Sequence, residues 1–374
     1  MKFNKIRNSA AAILAALALT VSAYSPVVNV PVSAYAESVV AESETIEKAE
    51  FSPLTEYWTE DSAAAASISD YVQMVTDPAS ENFIPVEDRI AVFDLDGTVV
   101  GELYPSYFDW VMFVHRALYD DTYEAPEEMK EFAHQLEDAW YNGAALPKDA
   151  EKTHARMAAE SYKGMTIDEF KDYCREFGQS KAEGFKHLKR IDAFYKPMVS
   201  LIEFLQANDF TVYIVSGTDR NCVRVIIEDV LDIPENNVIG SDINIIARRQ
   251  GDTDGLDFVY FPDDELVLGG ELMVKDVKMN KVSAIAREIG KVPVLGFGNT
   301  SGDYSMLQYV VNNDKYETRS YMVLCDDLKR EHGNMDKANS VAEYSAEHGF
   351  ETISMRDDFA TIYGDKVKVT KKYR

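Results

Sequence analysis

The feature that most constrains the fold is an apolar run at 90–93 that ends in Asp94-Leu95-Asp96-Gly97-Thr98. An apolar run of this length before a turn signal is typical of a strand buried in a parallel sheet. The carboxyl ends of such strands meet a crevice where α/β proteins bind ligands. Asp94 and Asp96 point to one side, and Gly97 allows a sharp turn. Two neighbouring acids repel each other, so the run predicts a hard divalent cation between them.

Three further segments carry groups suited to phosphate or a cation. Ser216-Gly217-Thr218 joins a predicted strand to a predicted helix, a junction whose N–H groups attract anions. Lys281 opens a predicted helix and offers a point charge for phosphate. The segment from Gly298-Asn299 to Asp303 follows a buried strand and adds an acid and an amide oxygen. Taken alone, each of these segments, and the Asp96-Gly97 pair as well, is equally typical of an ordinary turn or of exposed surface sequence. Together, in this order, the four predict one site.

Alternating strands and helices predict the fold class, an α/β doubly wound parallel sheet with a Rossmann-like core. The predicted strands are 89–94, 210–215, 238–246, 258–261, 265–274, 292–297 and 321–325, some of them antiparallel near 251–255, and the predicted helices include 54–75, 197–207 and 219–231. Between about 101 and 190 the strand signal is weak, and Ser106 and Thr166 begin capping patterns. This segment therefore predicts an inserted helical cap domain that can lie over the crevice.

The predicted domains are 1–36, a signal peptide; 37–88, a partly helical extension; 89–100 with 191–374, the α/β core; and 101–190, the cap. Lys2, Lys5 and Arg7 precede an apolar segment, and Ala34-Tyr35-Ala36 is a small-x-small cleavage signal. We expect cleavage after Ala36 and a secreted, extracellular or cell-surface protein without a stable membrane partner. An uncleaved anchor is the alternative, although prolines at 26 and 31 make a poor membrane span.

Charge and residue content argue against a nucleic-acid partner, a disulfide framework and a zinc site. The net charge is −26, and the first 36 residues hold three cations and no acid, so the rest of the chain is still more acidic. Such a surface repels phosphate backbones, and no nucleic-acid partner is expected. Cys174, Cys222 and Cys325 are too few for a disulfide framework and are expected to be buried free thiols. The scattered histidines lack zinc-site spacing.

Taken in order, the four segments resemble the motifs of the haloacid dehalogenase superfamily of phosphohydrolases, within it the phosphoserine-phosphatase-like branch. The resemblance covers about 89–307. It implies that Asp94 is the nucleophile and forms an aspartyl-phosphate, while Asp96 protonates the leaving oxygen and then activates water. It implies Mg²⁺ as cofactor, held by Asp94, the main-chain carbonyl of Asp96, Asp303 and Asn299. Ser216, Gly217 and Lys281 are then the phosphate-binding residues.

The chain departs from this family pattern at two positions. Asn299 stands where the fourth motif usually begins with Asp, and the lost charge is expected to weaken metal binding without abolishing activity. Phosphoserine enzymes also carry an acid at a fixed step after the nucleophile, and Glu102 lies one position short of it. Glu102 is therefore not assigned a catalytic role.

The expected substrate is a small phosphomonoester such as phosphoserine. Five aromatic residues lie at the start of the cap: Tyr104, Tyr107, Phe108, Trp110 and Phe113. We expect them to pack in the core of the cap. The alternative is that they form a cage for the quaternary ammonium of phosphocholine. A generalist scavenging phosphatase, a metal-independent haloalkanoate dehalogenase and a non-catalytic surface binding protein are further alternatives.

Overall fold

The computed structural model describes residues 51–102 and 104–370. Within these residues the helices are α1 Ala63–Thr76, α2 Phe108–Leu118, α3 Glu127–Asn142, α4 Ala150–Ser161, α5 Ile167–Gly178, α6 Lys196–Ala207, α7 Arg220–Ile227, α8 Met279–Glu288, α9 Tyr304–Val311 and α10 Met335–His348. The strands are β1 Ile90–Phe93, β2 Phe185–Lys186, β3 Thr211–Asp219, β4 Val238–Ala247, β5 Leu266–Val274, β6 Leu295–Gly298, β7 Arg319–Leu324, β8 Glu351–Ser354 and β9 Lys368–Val369. The predicted signal peptide lies outside the described residues.

Seven strands form one sheet in the order β5-β4-β3-β1-β6-β7-β8. All neighbouring pairs are parallel except β4 and β5, which are antiparallel. Because the central strands are covered on both faces, β1 is buried along its whole length. Phe93 packs on the side of α1 and α6, whereas Val92 packs on the side of α8 to α10. The predicted α/β fold with a doubly wound sheet is confirmed.

The segment between β1 and α6 is helical, as predicted, and contributes α2 to α5. Thr166 forms the predicted capping box with Glu169: the Thr166 hydroxyl accepts the Glu169 N–H, and the Glu169 carboxylate accepts the Thr166 N–H. The predicted cap at Ser106 is wrong, because α2 begins after Tyr107 without a side-chain cap. Helix α4 packs against β5, and α5 packs against α7. The domain limits at 101 and 190 stay predictions.

Two other local predictions are wrong. The first helix begins at Ala63 rather than near Leu54, because the Ser62 hydroxyl caps it by accepting the Ala65 N–H at 3.0 Å. No strand forms at 258–261; Phe261 there is 53% exposed, so the apolar run is not buried between other strands. The three cysteines are buried and unpaired, as expected. No helix of the described residues is long and apolar enough to span a membrane.

Candidate active site

The predicted site residues meet at the carboxyl edge of the sheet. Asp94 and Asp96 follow β1, which lies between β3 and β6. Ser216 to Thr218 form the end of β3, and Asn299 follows β6 directly. Lys281 is the third residue of α8, which begins at Met279. Strand order therefore brings segments that are far apart in the sequence to one edge, where open α/β sheets form their ligand crevice.

Lys281 joins two carboxylates at the centre of the site. Its side chain is 1% exposed, and its Nζ donates to Asp94 Oδ1 at 2.6 Å and to Asp303 Oδ1 at 2.7 Å. Thr98 Oγ1 donates to the other Asp94 oxygen at 3.3 Å. One ammonium therefore bridges the carboxylates of Asp94 and Asp303.

Burial dominates the electrostatics of this group. Burial and the neighbouring Asp303 raise the pKa of Asp94 to about 7, although Lys281 acts in the opposite direction. For Lys281, burial alone would lower the pKa, but Asp303 and Asp94 raise it above its ordinary value. The lysine is thus charged at neutral pH, and its charge offsets the repulsion between the two acids.

Asp96 lies beside this cluster but does not contact Lys281. Thr218 Oγ1 donates to Asp96 Oδ2 at 2.9 Å, while Oδ1 is buried without a hydrogen-bond partner among the described residues. Burial, followed by the charges of Asp109 and Asp94, raises the pKa of Asp96 to about 8. One oxygen of this carboxyl is therefore fixed by the protein, and the other remains available to a reacting group.

The loop after β6 fixes Asp303. Its Oδ2 accepts the backbone N–H groups of Asn299 and Thr300, both at 3.0 Å. The Asn299 side chain donates from Nδ2 to Glu102 Oε1 at 2.8 Å, and its buried Oδ1 has no partner among the described residues. Glu102 also pairs with Lys337. Glu102 therefore orients Asn299, a role that the sequence did not predict.

Gly97 is required where these loops meet. Its φ is +84°, and a Cβ at this position would lie 1.8 Å from Asn299 Nδ2. Any other residue would collide with Asn299 and Glu102 in addition to the strained backbone. The glycine thus allows the loop after β1 to approach the loop after β6.

The predicted phosphate-binding segment is only partly at the cavity. Ser216 is fully buried, and its Oγ accepts the Thr218 N–H at 3.1 Å. Gly217 and Thr218 line the cavity beside the two acids, whereas Ser216 does not line it. The Gly217 carbonyl accepts Lys275 Nζ at 2.7 Å and Ser241 Oγ at 2.6 Å, which holds this backbone in place. Gly217 and Lys281 are brought together as predicted.

The active-site cavity measures about 410 Å³, and residues outside the predicted catalytic, phosphate-binding and metal-binding sets also line it. Asp109 and Trp110 of α2, Lys275 after β5 and Thr218 all line it. Lys275 lies 3.7 Å from Asp109, so it links the helical insertion to the core. Asp109 and Lys275 were not predicted as site residues, because nothing in the local sequence pattern indicates that α2 borders the cavity that contains Asp96.

The donor set fits magnesium better than a transition metal. Among residues 51–102 and 104–370, no group of three or more His, Cys, Asp or Glu side chains converges to hold a metal. Mg²⁺ is commonly held by one or two carboxylates, substrate oxygens and several waters. Asp94 and Asp303 offer two carboxylates, and the Oδ1 of Asn299, which has no hydrogen-bond partner among the described residues, is a further oxygen atom at this cavity.

The aromatic residues of the insertion divide into two groups. Phe108 and Phe113 are buried in the hydrophobic cores, as the packing interpretation expected. Trp110 stacks on His154 at 4.3 Å between ring centres and reaches the active-site cavity. Tyr107 borders both that cavity and a neighbouring one of about 240 Å³, which contains Tyr104, Tyr195, Glu102 and Glu331.

Comparison with solved structures finds several matches at low sequence identity. A conserved protein of unknown function from Anaerococcus prevotii DSM 20548 shares 14% identity with a TM-score of 0.49, over 80% of this chain and 94% of that one. Cytosolic 5'-nucleotidase IIIB bound to cytidine shares 12% (TM-score 0.47, 80% and 88% covered). A substrate-bound phosphoserine phosphatase shares 14% (TM-score 0.35, 69% and 98% covered). No curated protein matches the chain.

The family comparison covers most of the chain. The sequence pattern of the haloacid dehalogenase-like hydrolases matches residues 91–308, which begin in β1 and end in α9. This range holds all four segments that carry the predicted site residues. The chain belongs to the haloacid dehalogenase-like hydrolases.

Proposed function

We propose that this hydrolase is a Mg²⁺-dependent phosphomonoester phosphatase that acts through an aspartyl-phosphate on Asp94. The observation that carries the proposal is the buried Lys281 ammonium, which contacts both Asp94 and Asp303. A carboxylate attacks a phosphate dianion only where positive charge offsets their repulsion. Lys281 supplies one such charge at the attacking carboxylate itself.

Each step of the proposed reaction is assigned to a residue of the site. An Asp94 oxygen forms a bond to phosphorus while the bond from phosphorus to the ester oxygen breaks. Asp96 gives its proton to that leaving oxygen, then takes one from the water that hydrolyses the aspartyl-phosphate. Thr218 holds one Asp96 oxygen, which leaves the unpartnered one for this transfer. Lys281 and Gly217, which line the cavity, bind the phosphoryl oxygens in this scheme.

Mg²⁺, held by Asp94, the Asp96 carbonyl, Asp303 and Asn299, would supply further neutralisation of the phosphoryl charge when bound. The ligand assignment is part of the proposal. It is supported by the Asp94 and Asp303 carboxylates that meet at Lys281 and by the unpartnered Asn299 oxygen.

The decisive assay uses an aryl phosphate with and without Mg²⁺, on the wild type and on Asp94→Asn. We expect Mg²⁺-dependent turnover that falls at least about 1,000-fold in the variant. Asp314→Asn, at an exposed position, is the matched control and keeps full activity. Halide release from a 2-haloalkanoate without metal would identify a dehalogenase instead. No turnover of either substrate would identify a binding protein.

The leaving alcohol is proposed to carry a cationic amine, as in phosphoserine or phosphocholine. The cavity beside the active site combines the rings of Tyr107 and Tyr195 with the carboxyl group of Glu102, groups that attract an ammonium. We expect one of the two esters to have the higher kcat/KM, and Tyr107→Leu to lower it for phosphocholine more than for the aryl phosphate. Equal values for all three esters would identify a generalist scavenging phosphatase.

We also propose that the protein is exported. The proposal is supported by the basic start, the apolar segment and the small-x-small signal in residues 1–36. Expression of the full chain in a secreting host, followed by N-terminal sequencing of the medium and the cell fraction, tests it. A mature chain that begins at Glu37 is expected. A full-length chain in the cell fraction would contradict cleavage.

A further inference from the structure

A second cavity of about 570 Å³ lies in the helical insertion. It is lined by residues of α2, α3 and α5 and by Arg190, and it shares no lining residue with the active-site cavity. Its size is in the range of small-molecule sites. The proposed phosphatase chemistry makes no use of it.

Arg190 is the unusual group in this cavity. The residue is only 8% exposed, and its guanidinium lies 5.4 Å from the centre of the Phe177 ring. Among residues 51–102 and 104–370, no hydrogen bond or ion pair reaches the guanidinium, and its Nη1 is fully buried. An arginine stays charged in a protein, and a buried charge without a partner costs several kcal/mol. Arg190 therefore lacks an anionic acceptor.

The acids around the cavity do not serve as that acceptor. Tyr119 donates to Glu137 at 2.5 Å, and Tyr141 donates to Glu183 at 2.8 Å. Asp120 is paired with Arg116 at 2.5 Å. Glu176 is exposed and, in the described part of the chain, has no hydrogen bond or ion pair. An anion for Arg190 has to come from a ligand.

The charges on the wall restrict which anion can enter. Four acids line the cavity against two permanent cations; these residues are Asp120, Glu137, Glu176, Glu183, Lys181 and Arg190. His115 adds no charge, because burial lowers its pKa. A simple monoanion would meet net repulsion at the rim. A molecule that also carries an ammonium group would not, and Glu176 is free to pair with it.

We infer that this cavity binds an α-amino acid with a large apolar side chain. The carboxylate pairs with Arg190 in a bidentate geometry, and the ammonium faces the acidic rim at Glu176. The side chain packs against Trp140 and Phe177. Helix α2 contributes Val111 and His115 to this cavity and Asp109 to the catalytic one, so the ligand would contact a helix that also borders the active site.

Titration calorimetry on the full chain, without any phosphate ester, tests the inference through a ligand series. L-phenylalanine is expected to bind. Phenylalaninamide lacks the carboxylate, 3-phenylpropionate lacks the ammonium, and L-alanine lacks the phenyl ring and keeps only a methyl side chain. Each is expected to bind at least tenfold more weakly. Absence of L-phenylalanine binding at millimolar concentration, or equal binding of the amide, would overturn the inference.

Variants test whether L-phenylalanine binds in this cavity. Arg190→Met is expected to weaken L-phenylalanine binding at least tenfold, and Glu176→Gln to weaken it less. Arg156→Met, an exposed arginine of α4 in the same insertion, is the matched control and keeps the affinity. Asp94→Asn also keeps it, which separates this site from the catalytic one. Unchanged affinity in folded Arg190→Met contradicts the assignment, and the ligand series on the wild type stands if that variant does not fold.

Discussion

Lys281 in the active site and Arg190 in the insertion are both buried cations, but their surroundings are opposite. Lys281 contacts two carboxylates, whereas the guanidinium of Arg190 has no ion-pair partner among the described residues. A buried cation between two acids balances the charges of its own site. A buried cation without an acceptor leaves a cost that only a ligand can offset. The comparison teaches that the partners of a buried charge, more than the burial itself, separate a complete site from an incomplete one.

Glu331 extends the comparison, because a carboxyl group can lose its charge. It is buried, and Tyr363 donates its hydroxyl to it. Burial raises its pKa to about 7, despite the hydrogen bonds from Tyr363 and the His332 N–H. A buried acid with neutral partners is protonated instead of paired. An arginine has no such option, so Arg190 keeps its charge.

The largest effect is expected for Lys281→Met, which leaves Asp94 and Asp303 facing each other. We expect a loss of about 3–5 kcal/mol in the free energy of unfolding at neutral pH without divalent cations. Turnover of an aryl phosphate should fall at least about 1,000-fold. Urea unfolding and the assay measure both, with Lys329→Met as an exposed control. A stability change below about 1 kcal/mol would show that the two acids are not charged in the native state.

Glu331→Gln tests whether the buried carboxyl group of Glu331 has a raised pKa. Since its pKa in the folded protein is about 7 and the unfolded value is near 4.5, the native state binds the extra proton between these values. Stability from Glu331 is therefore full below pH 4.5 and is lost as the pH rises through 7, by about 3 kcal/mol. Unfolding across pH 4–8 should show this decline in the wild type relative to Glu331→Gln. Parallel pH profiles would contradict the raised pKa.

Asn299→Asp sharpens the active-site half of the comparison by adding a carboxylate near Lys281. We expect the Mg²⁺ concentration for half-maximal activity to fall about tenfold, since one more anionic oxygen is available to the cation. A Mg²⁺ titration of activity measures this, with Asn312→Asp as an exposed control. An unchanged titration would place Asn299 outside the metal site.

The smallest effect on stability is expected for Arg190→Met. Its charge has no partner to lose, so the cost of the lost contact with Phe177 and the gain from removing a buried charge should cancel to within about 1 kcal/mol. Urea unfolding of this variant beside Lys281→Met gives the direct contrast. A loss of unfolding free energy as large as that of Lys281→Met would show that Arg190 is paired in the native protein. The contrast between the two buried cations would then be wrong.

Much of the fold could be predicted from the sequence, and so could the position of the four site segments at one edge of the sheet. Both follow from patterns of apolar and turn-forming residues within short stretches of the chain. A buried apolar run before Asp94 predicts where the strand ends, and strand ends of a parallel sheet share an edge. The prediction at 258–261 was wrong, because a short apolar run does not show whether another element covers it. Ser216 illustrates the same limit: the pattern gave the turn but not that Thr218, rather than Ser216, donates to Asp96.

The sequence by itself determined the alternation of strands and helices, the glycine that turns the chain after β1, and the acids and lysine that identify the family. Their signals lie within a few residues of each other, where backbone geometry and hydrophobic periodicity act. Only the tertiary structure decided that Asp109 faces Asp96, that Glu102 orients Asn299, and that Arg190 is buried without a partner. These relations depend on how helices pack across the sheet, and packing is set by contacts between residues far apart in the chain.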